Sequence, residues 1–503
     1  MKKLFGWLKW LDNNIIKVLV VIFIFLIPLY PKLPIKMINY TYIAIRVEDF
    51  FMVFLFLVYF IQLIRKKVFI NKKFLLLFFL YWIAVFVSAF YGIYIKKNIV
   101  ISHLGWLHSI RRIEYMSIFL ITLSTINKKK DFFTYLFLVL AALFLVCFYG
   151  IGQKFLGWPA VQTMNPEYAK GYLLFLTPEA RISSTFAGHY DLAAYLVFLM
   201  PIVLGVYFYK KNFRYFLLFT LSLLILIFTA SRISYGAYVI SVFPFLIFLR
   251  KPKYFLIVLA LTAIFTLTSK NLTARFKRTF QVKQIFVNQN TGQVVIPQKM
   301  TAQELPAGSF YIETNNLPGG GGGGTSQAQK DLLKERILDE IRTNERNTGK
   351  KLTSQEEDVL FASIAARLRP INTIVSDISF ATRLQVEWPR AIKAFLRNPI
   401  LGTGPSSITE ATDNDYLRSL GEVGLLGTIL FAAIFYMIIK MIISSFSKLK
   451  AEEKTIYFGF LFGLLALLFN AGYIDVFEAS KIAFQFWMIA GLFIGSLLLY
   501  EKN

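Results

Sequence analysis

The sequence contains little cysteine and little histidine. Its one cysteine, Cys147, lies within an apolar run and can form no disulfide inside the chain, so we interpret it as a packing residue. The three histidines, His103, His108 and His189, do not stand at metal-ligand spacing with carboxylates. No glycine-rich segment is followed by the Lys-Ser or Lys-Thr of a phosphate-binding loop. We therefore expect a protein that uses neither a metal nor another cofactor.

Acidic residues are also scarce. The chain of 503 residues has 29 aspartates and glutamates against 55 lysines and arginines, a formal net charge of +26. The basic residues stand in short clusters between apolar runs, where they set membrane topology, so we predict no nucleic-acid partner. Because 56% of the residues are hydrophobic and 17% are aromatic, a soluble core could not bury them all. The composition predicts an all-α integral membrane protein in contact with membrane lipids.

Twelve apolar runs have about the length that crosses a bilayer, roughly 17 to 25 residues. The first, Ile15 to Tyr30, has no small-residue cleavage site after it, so we interpret it as a span and not as a removed signal. The others are 41–64, 74–95, 106–126, 131–152, 190–209, 213–230, 232–249, 254–269, 417–443, 455–473 and 481–500. The predicted membrane domain therefore comprises residues 1–269, with spans 1–9, and residues 417–503, with spans 10–12.

Lysines and arginines cluster on alternate connections between these runs. Since such clusters are retained on the cytoplasmic side, both termini are predicted to be cytoplasmic. The clusters are Lys2, Lys3 and Lys9; Arg65, Lys66, Lys67, Lys72 and Lys73; Lys128 to Lys130; Lys210, Lys211 and Arg214; Arg250, Lys251 and Lys253; and Lys448, Lys450 and Lys454. The opposite connections, including 152–188 and the long segment 270–416, are then extracytoplasmic loops of a protein in the cytoplasmic membrane.

Residues 270–416 change composition along their length and form a predicted loop domain. Val282 to Pro297 comprises two β-rich runs, which predict a hairpin. Gly319 to Gly324 is a flexible tether, and helices are predicted near 327–347 and from Ser354 onwards. We interpret 281–372 as an insertion, which is either a spacer or a lid or partner-docking module.

Ionisable residues in or beside the apolar runs fall on the predicted outer side. They include Arg46, Glu48, Asp49, Arg111, Arg112, Glu114, Asp475, Glu478 and Lys481. Charges in a bilayer are costly and by default mark a functional site, although pairing or snorkelling would also explain them. Arg181, Arg232 and Arg383 run against the positive-inside bias. Guanidinium groups suit phosphate oxygens because their planar fork binds two oxygens at once.

The segment 379–427 combines an amphipathic helix, a glycine turn and an acidic, amide-rich approach to the tenth span. The helix is predicted to end at Asn398-Pro399. Its apolar stripe consists of Leu384, Trp388, Ala391, Ile392 and Phe395. After it come Gly402-Thr403-Gly404, Asp413-Asn414, Tyr416, Glu422 and Gly424-Leu425-Leu426-Gly427. Glycines three apart at 421, 424 and 427 predict a close approach of a neighbouring helix.

In this order, with Arg383 at its head, the segment resembles the carboxy-terminal signature of the O-antigen ligase and polymerase family of bacterial membrane glycosyltransferases. Arg181, in Arg-Ile-Ser-Ser-Thr-Phe-Ala-Gly-His, and Arg232, in Thr-Ala-Ser-Arg, resemble two further arginine segments of the family. Ligases of the family usually carry His-Asn where this chain has Asp413-Asn414. The resemblance implies a GT-C-like fold and an inverting, metal-independent transfer of a glycan from a polyprenyl diphosphate to a hydroxyl on a glycan, lipid or protein.

The resemblance also implies roles for particular residues. The expected substrate-binding residues are Arg181, Arg232, Arg383, His189, Asn414 and Tyr416. His189 would orient the acceptor or make an interfacial hydrogen bond. Asp413 is the expected general base. Two alternatives remain: Thr412, Asp413 or Asn414 caps a helix, or Asp415 is the base, although Asp415 can pair with Arg418 one turn on.

A multi-pass transporter or a flippase of lipid-linked glycans is the alternative from another functional class. Transporters tend to repeat two related halves with charges at the bilayer midplane. This chain has nine predicted spans, a long loop and three spans, with its charges towards one side, so we favour the enzyme. A third hypothesis, a non-catalytic scaffold, requires the signature residues to be only caps and turns.

Overall fold

Helices make up most of the described chain. The computed structural model describes residues 2–39, 41, 44–163, 168–278, 280–288, 294–295, 355–356, 359, 363, 368–376, 382–408 and 412–501. It divides into two units, Met1–Thr273 with Arg390–Asn503, and Ala274–Pro389. The described residues are 77% helical and form no closed sheet, which confirms the prediction of a helical protein.

Each of the twelve predicted spans coincides with a helix. In chain order the helices are α1 (Lys2–Leu29), α2 (Val47–Ile64), α3 (Lys72–Phe90), α4 (Ser102–Thr125), α5 (Lys129–Phe155), α6 (His189–Lys210), α7 (Phe213–Thr229), α8 (Arg232–Phe248), α9 (Pro252–Thr268), α10 (Lys270–Arg278), α11 (Trp388–Arg397), α12 (Asp415–Ser444), α13 (Ala451–Ala471) and α14 (Ser480–Glu501). All except α10 and α11 correspond to predicted spans.

Eight helices of the described chain have the length and apolarity of membrane spans, namely α1, α2, α3, α5, α6, α12, α13 and α14. Helices α7, α8 and α9 are apolar but have only 17 residues each. Helix α4 carries the charged residues Arg111, Arg112 and Glu114. The chain is a multi-pass membrane protein, while the count of twelve spans and the GT-C-like arrangement remain predictions.

Polar caps and left-handed residues set several helix ends. Asn71, Asn212 and Ser231 accept hydrogen bonds from backbone N–H groups in the first turns of α3, α7 and α8. Helices α6 and α7 end at Lys211 and Ala230, whose left-handed backbone stops the helical hydrogen bonding. These sharp ends keep the connections short, so consecutive helices turn back and pack against one another.

Helices α6 and α14 form the centre of the first unit, and most of their residues are buried. Helix α6 packs against α13, and α14 packs against α4. A Cβ atom at Gly463 would lie 2.2 Å from the carbonyl oxygen of Phe198, and one at Gly491 would lie 2.4 Å from that of Phe119. Because these distances are far below van der Waals contact, the packing requires glycine at both positions.

Short sheets complete the described structure. In the first unit, β1 (Lys36–Met37) pairs with β2 (Ala44–Ile45) in the connection between α1 and α2. In the second unit, β3 (Phe280–Asn288) lies between β4 (Val294–Val295) and β5 (Leu368–Ser376) in an antiparallel sheet. The pairing of β3 with β4 confirms the hairpin predicted for 282–297.

Strand β5 pairs with β3 over its whole length, with Phe280 opposite Ser376 and Asn288 opposite Leu368. The two ends of the predicted insertion, 281–372, therefore lie side by side. The glycine tether and the helices predicted near 327–347 and from Ser354 lie outside the described residues. The domain boundaries 1–269, 270–416 and 417–503 remain predictions.

Candidate active site

Helix α12 is broken near its start, and a turn of the signature segment fits into the break. Gly424 has φ +63° and ψ −168°, which interrupts the helix. The N–H groups of Leu425 and Leu426 donate to the carbonyl oxygens of Pro399 and Ile400, at 2.8 and 3.1 Å. A Cβ atom at Gly424 would lie 2.3 Å from the Ile400 carbonyl oxygen, so only glycine fits here.

The same turn also binds the part of α12 that precedes the break. The N–H groups of Thr403 and Gly404 donate to the carbonyl oxygens of Gly421 and Glu422, both at 2.9 Å. Helix α11 ends at Arg397, one residue before the predicted end. The sequence predicts that Gly424 admits a neighbouring helix, whereas the structure shows that it admits this turn. The turn at 399–404 and the start of α12 are therefore joined by backbone hydrogen bonds on both sides of the break.

Helix α12 begins with Asn414 as its cap. The Asn414 side chain accepts a hydrogen bond from the Leu417 N–H at 3.0 Å and donates one to the Gly472 carbonyl oxygen at 2.9 Å. Asp413, one residue earlier, has φ +50°, a left-handed conformation in which Asn, Asp and His are enriched. Of the candidate caps, the structure uses Asn414, and Asp413 stands outside the helix.

Asp413 and Asp415 form an Asp-x-Asp sequence, a pattern that can hold a metal. The buried Asp415 carboxylate accepts hydrogen bonds from the N–H groups of Val476 and Phe477 at 2.7 and 3.0 Å, whereas Asp413 lines a cavity. No three His, Cys, Asp or Glu side chains gather as metal ligands in the part of the chain that the structure describes. Metal independence remains a prediction, and the backbone contacts of Asp415 make it the weaker candidate for the base.

Two buried arginines are held by carboxylates from other segments. Arg112 of α4 contacts Glu422 at 2.6 Å and Glu478 at 2.9 Å. Arg418 of α12 contacts Asp475 at 3.0 Å and lies 3.5 Å from Glu422. The sequence instead predicts a pair between Arg418 and Asp415. Because breaking a buried ion pair is strongly destabilising, these contacts fix α4, α12 and the turn before α14 relative to one another.

A polar cavity of about 370 Å³ lies beside this ionic network. Its charged side chains are Lys32, Arg46, Arg111, Arg418, Asp191, Asp413, Asp475 and Glu478. Other polar and aromatic residues, among them His108, Tyr115, His189, Tyr190 and Ser480, complete its wall. A concave site with fixed cations and a carboxylate can bind an anionic ligand and remove a proton from it or from a second substrate.

Three buried atoms on the cavity wall have no hydrogen-bond partner within the described ranges: Arg46 Nε, His108 Nε2 and Ser480 Oγ. An unpaired buried polar atom costs about 1–3 kcal/mol. These three atoms are therefore candidate contacts for a bound ligand or a water molecule.

The structure brings some of the predicted site residues together. Asp413 and His189 line the cavity. The Arg181 guanidinium lies 2.6 Å from His189 Nε2 and 6.0 Å from the centre of the Tyr190 ring. Arg181 is thus placed next to the cavity wall through its contact with His189.

Other predicted residues are placed elsewhere. Arg232 lies at the start of α8, directly after the cap Ser231, and Tyr416 is 45% exposed and donates to the Leu468 carbonyl oxygen at 2.6 Å. Neither residue, nor Asn414, is among the described residues that line the cavity. Arg383 belongs to the second unit, where it is buried in a π-helical turn, Arg383–Glu387.

Lys32, Arg46, His108 and Arg111 line the cavity but were not predicted as site residues. The sequence did mark Arg46 and Arg111 as candidate functional residues, because charged residues in apolar runs are costly. His108 precedes Arg111 by three residues, so both side chains fall on one face of α4. No pattern in the sequence indicated that Lys32 belongs to the site. Burial, together with the neighbouring Arg46 charge, lowers the pKa of Lys32 to about 8.

The family model described as O-antigen ligase matches residues 216–432, from α7 to the middle of α12. No curated protein matched the chain. The matched range contains Asp413 and the whole signature segment, whereas Lys32, Arg46, His108 and His189 lie before it. The match supports a glycosyltransferase-type enzyme of surface polysaccharide assembly, with lipid-linked glycans and polysaccharides as its general partners. Residues 216–432 of this multi-pass membrane protein therefore match an O-antigen ligase domain, which supports the O-antigen ligase and polymerase family.

Proposed function

We propose that the protein transfers a glycan from a polyprenyl diphosphate to an acceptor hydroxyl on a glycan, a lipid or a protein. One observation carries the proposal: Asp413 of the family signature lines the same cavity as Lys32, Arg46 and Arg111, which come from two other segments. The cavity thus combines a carboxylate with fixed positive charge. These are the groups that the removal of an acceptor proton and the departure of a diphosphate require.

The diphosphate binds to the cationic side of the cavity. Lys32, Arg46 and Arg111 lie close enough for their charges to influence one another, and the carboxylates Glu48, Asp49 and Asp191 also act on this group. Arg46 Nε is a buried donor that a phosphate oxygen would satisfy. Arg181, next to His189, extends this positive region, and Arg232 and Arg383 remain proposed contacts. With arginine charge on the leaving group, no metal is required.

In the reaction, the acceptor oxygen attacks the anomeric carbon from the face opposite the diphosphate, which inverts the configuration. The new C–O bond forms as the bond to the phosphate oxygen breaks, and its electron pair leaves with the diphosphate. Asp413 accepts the acceptor proton. His189 orients the acceptor from the cavity wall. Asn414 and Tyr416 remain proposed substrate contacts, although Asn414 is also the cap of α12.

A second cavity supports a lipid donor. It has a volume of about 470 Å³ and a mainly apolar lining that includes Leu29, Leu145, Phe148 and Trp158. Phe148 is 51% exposed on the outer surface of the helix bundle, so the cavity lies near the lipid-facing side. Pro31 lines this cavity and the next residue, Lys32, lines the polar cavity. A polyprenyl chain suits such an apolar site.

We propose that the cavity faces the outside of the cytoplasmic membrane and that both termini are cytoplasmic. In intact cells, Lys393→Cys is therefore expected to react with a membrane-impermeant thiol reagent, whereas Lys72→Cys is not. Both positions are exposed, and the native Cys147 is buried, so background labelling is low. Labelling of Lys72→Cys alone would reverse the proposed orientation.

The function is tested with purified protein, a polyprenyl diphosphate-linked glycan as the donor, and glycan, lipid and protein fractions of the host cell envelope as acceptors. The parent is expected to release the polyprenyl diphosphate, and its kcat/KM for the donor should fall about tenfold as the pH rises through about 8. Lys32 has its pKa lowered to about 8, so it carries its charge below that pH and loses it above. Lys32→Arg, which stays protonated, should show no such fall, and Lys32→Met should be low throughout. Absence of any donor cleavage by the parent would refute the proposed function.

A further inference from the structure

We propose that His108 and Ser480 form a glycan subsite in the polar cavity, where they hydrogen-bond to sugar hydroxyl groups. The inference rests on the proposed function, since it assigns the sugar of that reaction to one part of the cavity. His108 lies on α4 and Ser480 begins α14. Both line the cavity and both are only 6% exposed.

The unpaired atoms of these two residues are not a result of loose packing. Lys481, the next residue after Ser480, donates through Nζ to the carbonyl oxygens of Tyr30 and Thr185 at 2.7 and 2.6 Å. Arg112, one turn after His108, is bound by two carboxylates. Lys481 Nζ and the Nε and Nη2 atoms of Arg112 are thus paired, while His108 Nε2 and Ser480 Oγ have no partner among the described residues. The contacts of Lys481 and Arg112 restrain the two segments that carry these atoms.

The chemistry of the two groups fits a sugar. A neutral imidazole nitrogen and a hydroxyl offer no charge to a diphosphate, but each exchanges hydrogen bonds with a hydroxyl group, which both donates and accepts. The rings of Tyr115 and Tyr190 line the same cavity and offer apolar surface to the C–H groups of a sugar. Both groups therefore suit a polyhydroxy ligand.

The position of the subsite fits the connectivity of the donor. Arg111 follows His108 by three residues and faces the same side of α4, and we assign Arg111 to the diphosphate. In the donor, the anomeric carbon of the first sugar is bonded directly to the diphosphate. A sugar that contacts His108 is therefore within one helical turn of the group that holds its leaving phosphate.

The test compares the binding of two probes to purified protein: oligosaccharides released by mild acid from the host cell envelope, and inorganic diphosphate. His108→Ala and Ser480→Ala are each expected to raise the oligosaccharide Kd about tenfold and to leave the diphosphate Kd within about twofold. The amide of His108→Gln reaches the position of Nε2, so its Kd should stay within about threefold of the parent, whereas His108→Asn should behave like His108→Ala. His103→Gln, exposed on the same helix, is the matched control.

Three results would overturn the subsite: an unchanged oligosaccharide Kd in both alanine variants, an equal loss of both probes, or a glutamine variant as weak as alanine. A parent that binds oligosaccharide in the expected pattern but cleaves no lipid-linked donor would refute the proposed function and leave the subsite standing. If the parent transfers glycan and both alanine variants have the same KM as the parent, the proposed function would stand and the subsite would be refuted.

Discussion

Asp413→Asn is expected to lower kcat by about 10²- to 10⁴-fold, the range that general acid–base catalysis contributes. Asparagine adopts the left-handed conformation at φ +50° as readily as aspartate but cannot accept the proton. The cap of α12 is Asn414, so the substitution leaves the start of the helix intact. The measurement is single-turnover transfer by purified protein, together with its thermal unfolding midpoint, which separates a loss of catalysis from a loss of folding.

Two companion variants make this result decisive. Asp415→Asn should lower the unfolding midpoint, because the Asp415 carboxylate holds two backbone N–H groups, but should keep kcat within about tenfold of the parent. The resembling ligases carry histidine at this position, so Asp413→His should retain turnover. Its rate should fall as the pH drops below the ordinary histidine pKa of about 6.5. Full activity in Asp413→Asn with none in Asp415→Asn would make Asp415 the base.

Glu422→Gln is expected to lower the free energy of unfolding by about 3 kcal/mol, the lower end of the cost of breaking a buried ion pair. Glu422 is fully buried and lies 2.6 Å from Arg112 and 3.5 Å from Arg418. Glutamine keeps the shape but leaves both guanidinium charges with less compensation. Thermal unfolding in one detergent measures the difference.

Glu452→Gln is the matched control, because Glu452 is exposed in the first turn of α13 and its loss should change stability by no more than about 0.5 kcal/mol. Equal midpoints for Glu422→Gln and Glu452→Gln would mean that the network contributes little to stability. A lower midpoint with unchanged turnover per folded molecule would place Glu422 in a structural role.

The helices were predictable because each depends on a local pattern. Each of the twelve apolar runs coincides with a helix, and the turn residues before α12 indicate where that helix begins. The break at Gly424 was not predictable, since glycines spaced by three serve equally well for a close helix approach and for a turn inserted into a helix. Only the hydrogen bonds to Pro399 and Ile400 distinguish the two.

The candidate site was predictable only where one segment carried the information. Asp413 stands in the signature, and the contact of Arg181 with His189 lies within one short stretch. Lys32 and His108 come from the α1–α2 connection and from α4, and they reach the cavity through tertiary packing. No spacing in the sequence links them to Asp413. Arg232 was singled out by its motif, yet the described lining of the cavity does not include it.

The ionic network also constrains how the protein is made. Arg112 precedes its partners Glu422 and Glu478 by 310 and 366 residues. At about 5–20 residues per second, a ribosome takes tens of seconds to reach them after completing α4. During that interval α4 presents an arginine without these counterions, and an unpaired charge in an apolar segment is costly. The site is therefore among the last parts to assemble, and a nascent chain stalled before α12 leaves a charge for membrane quality control to recognise.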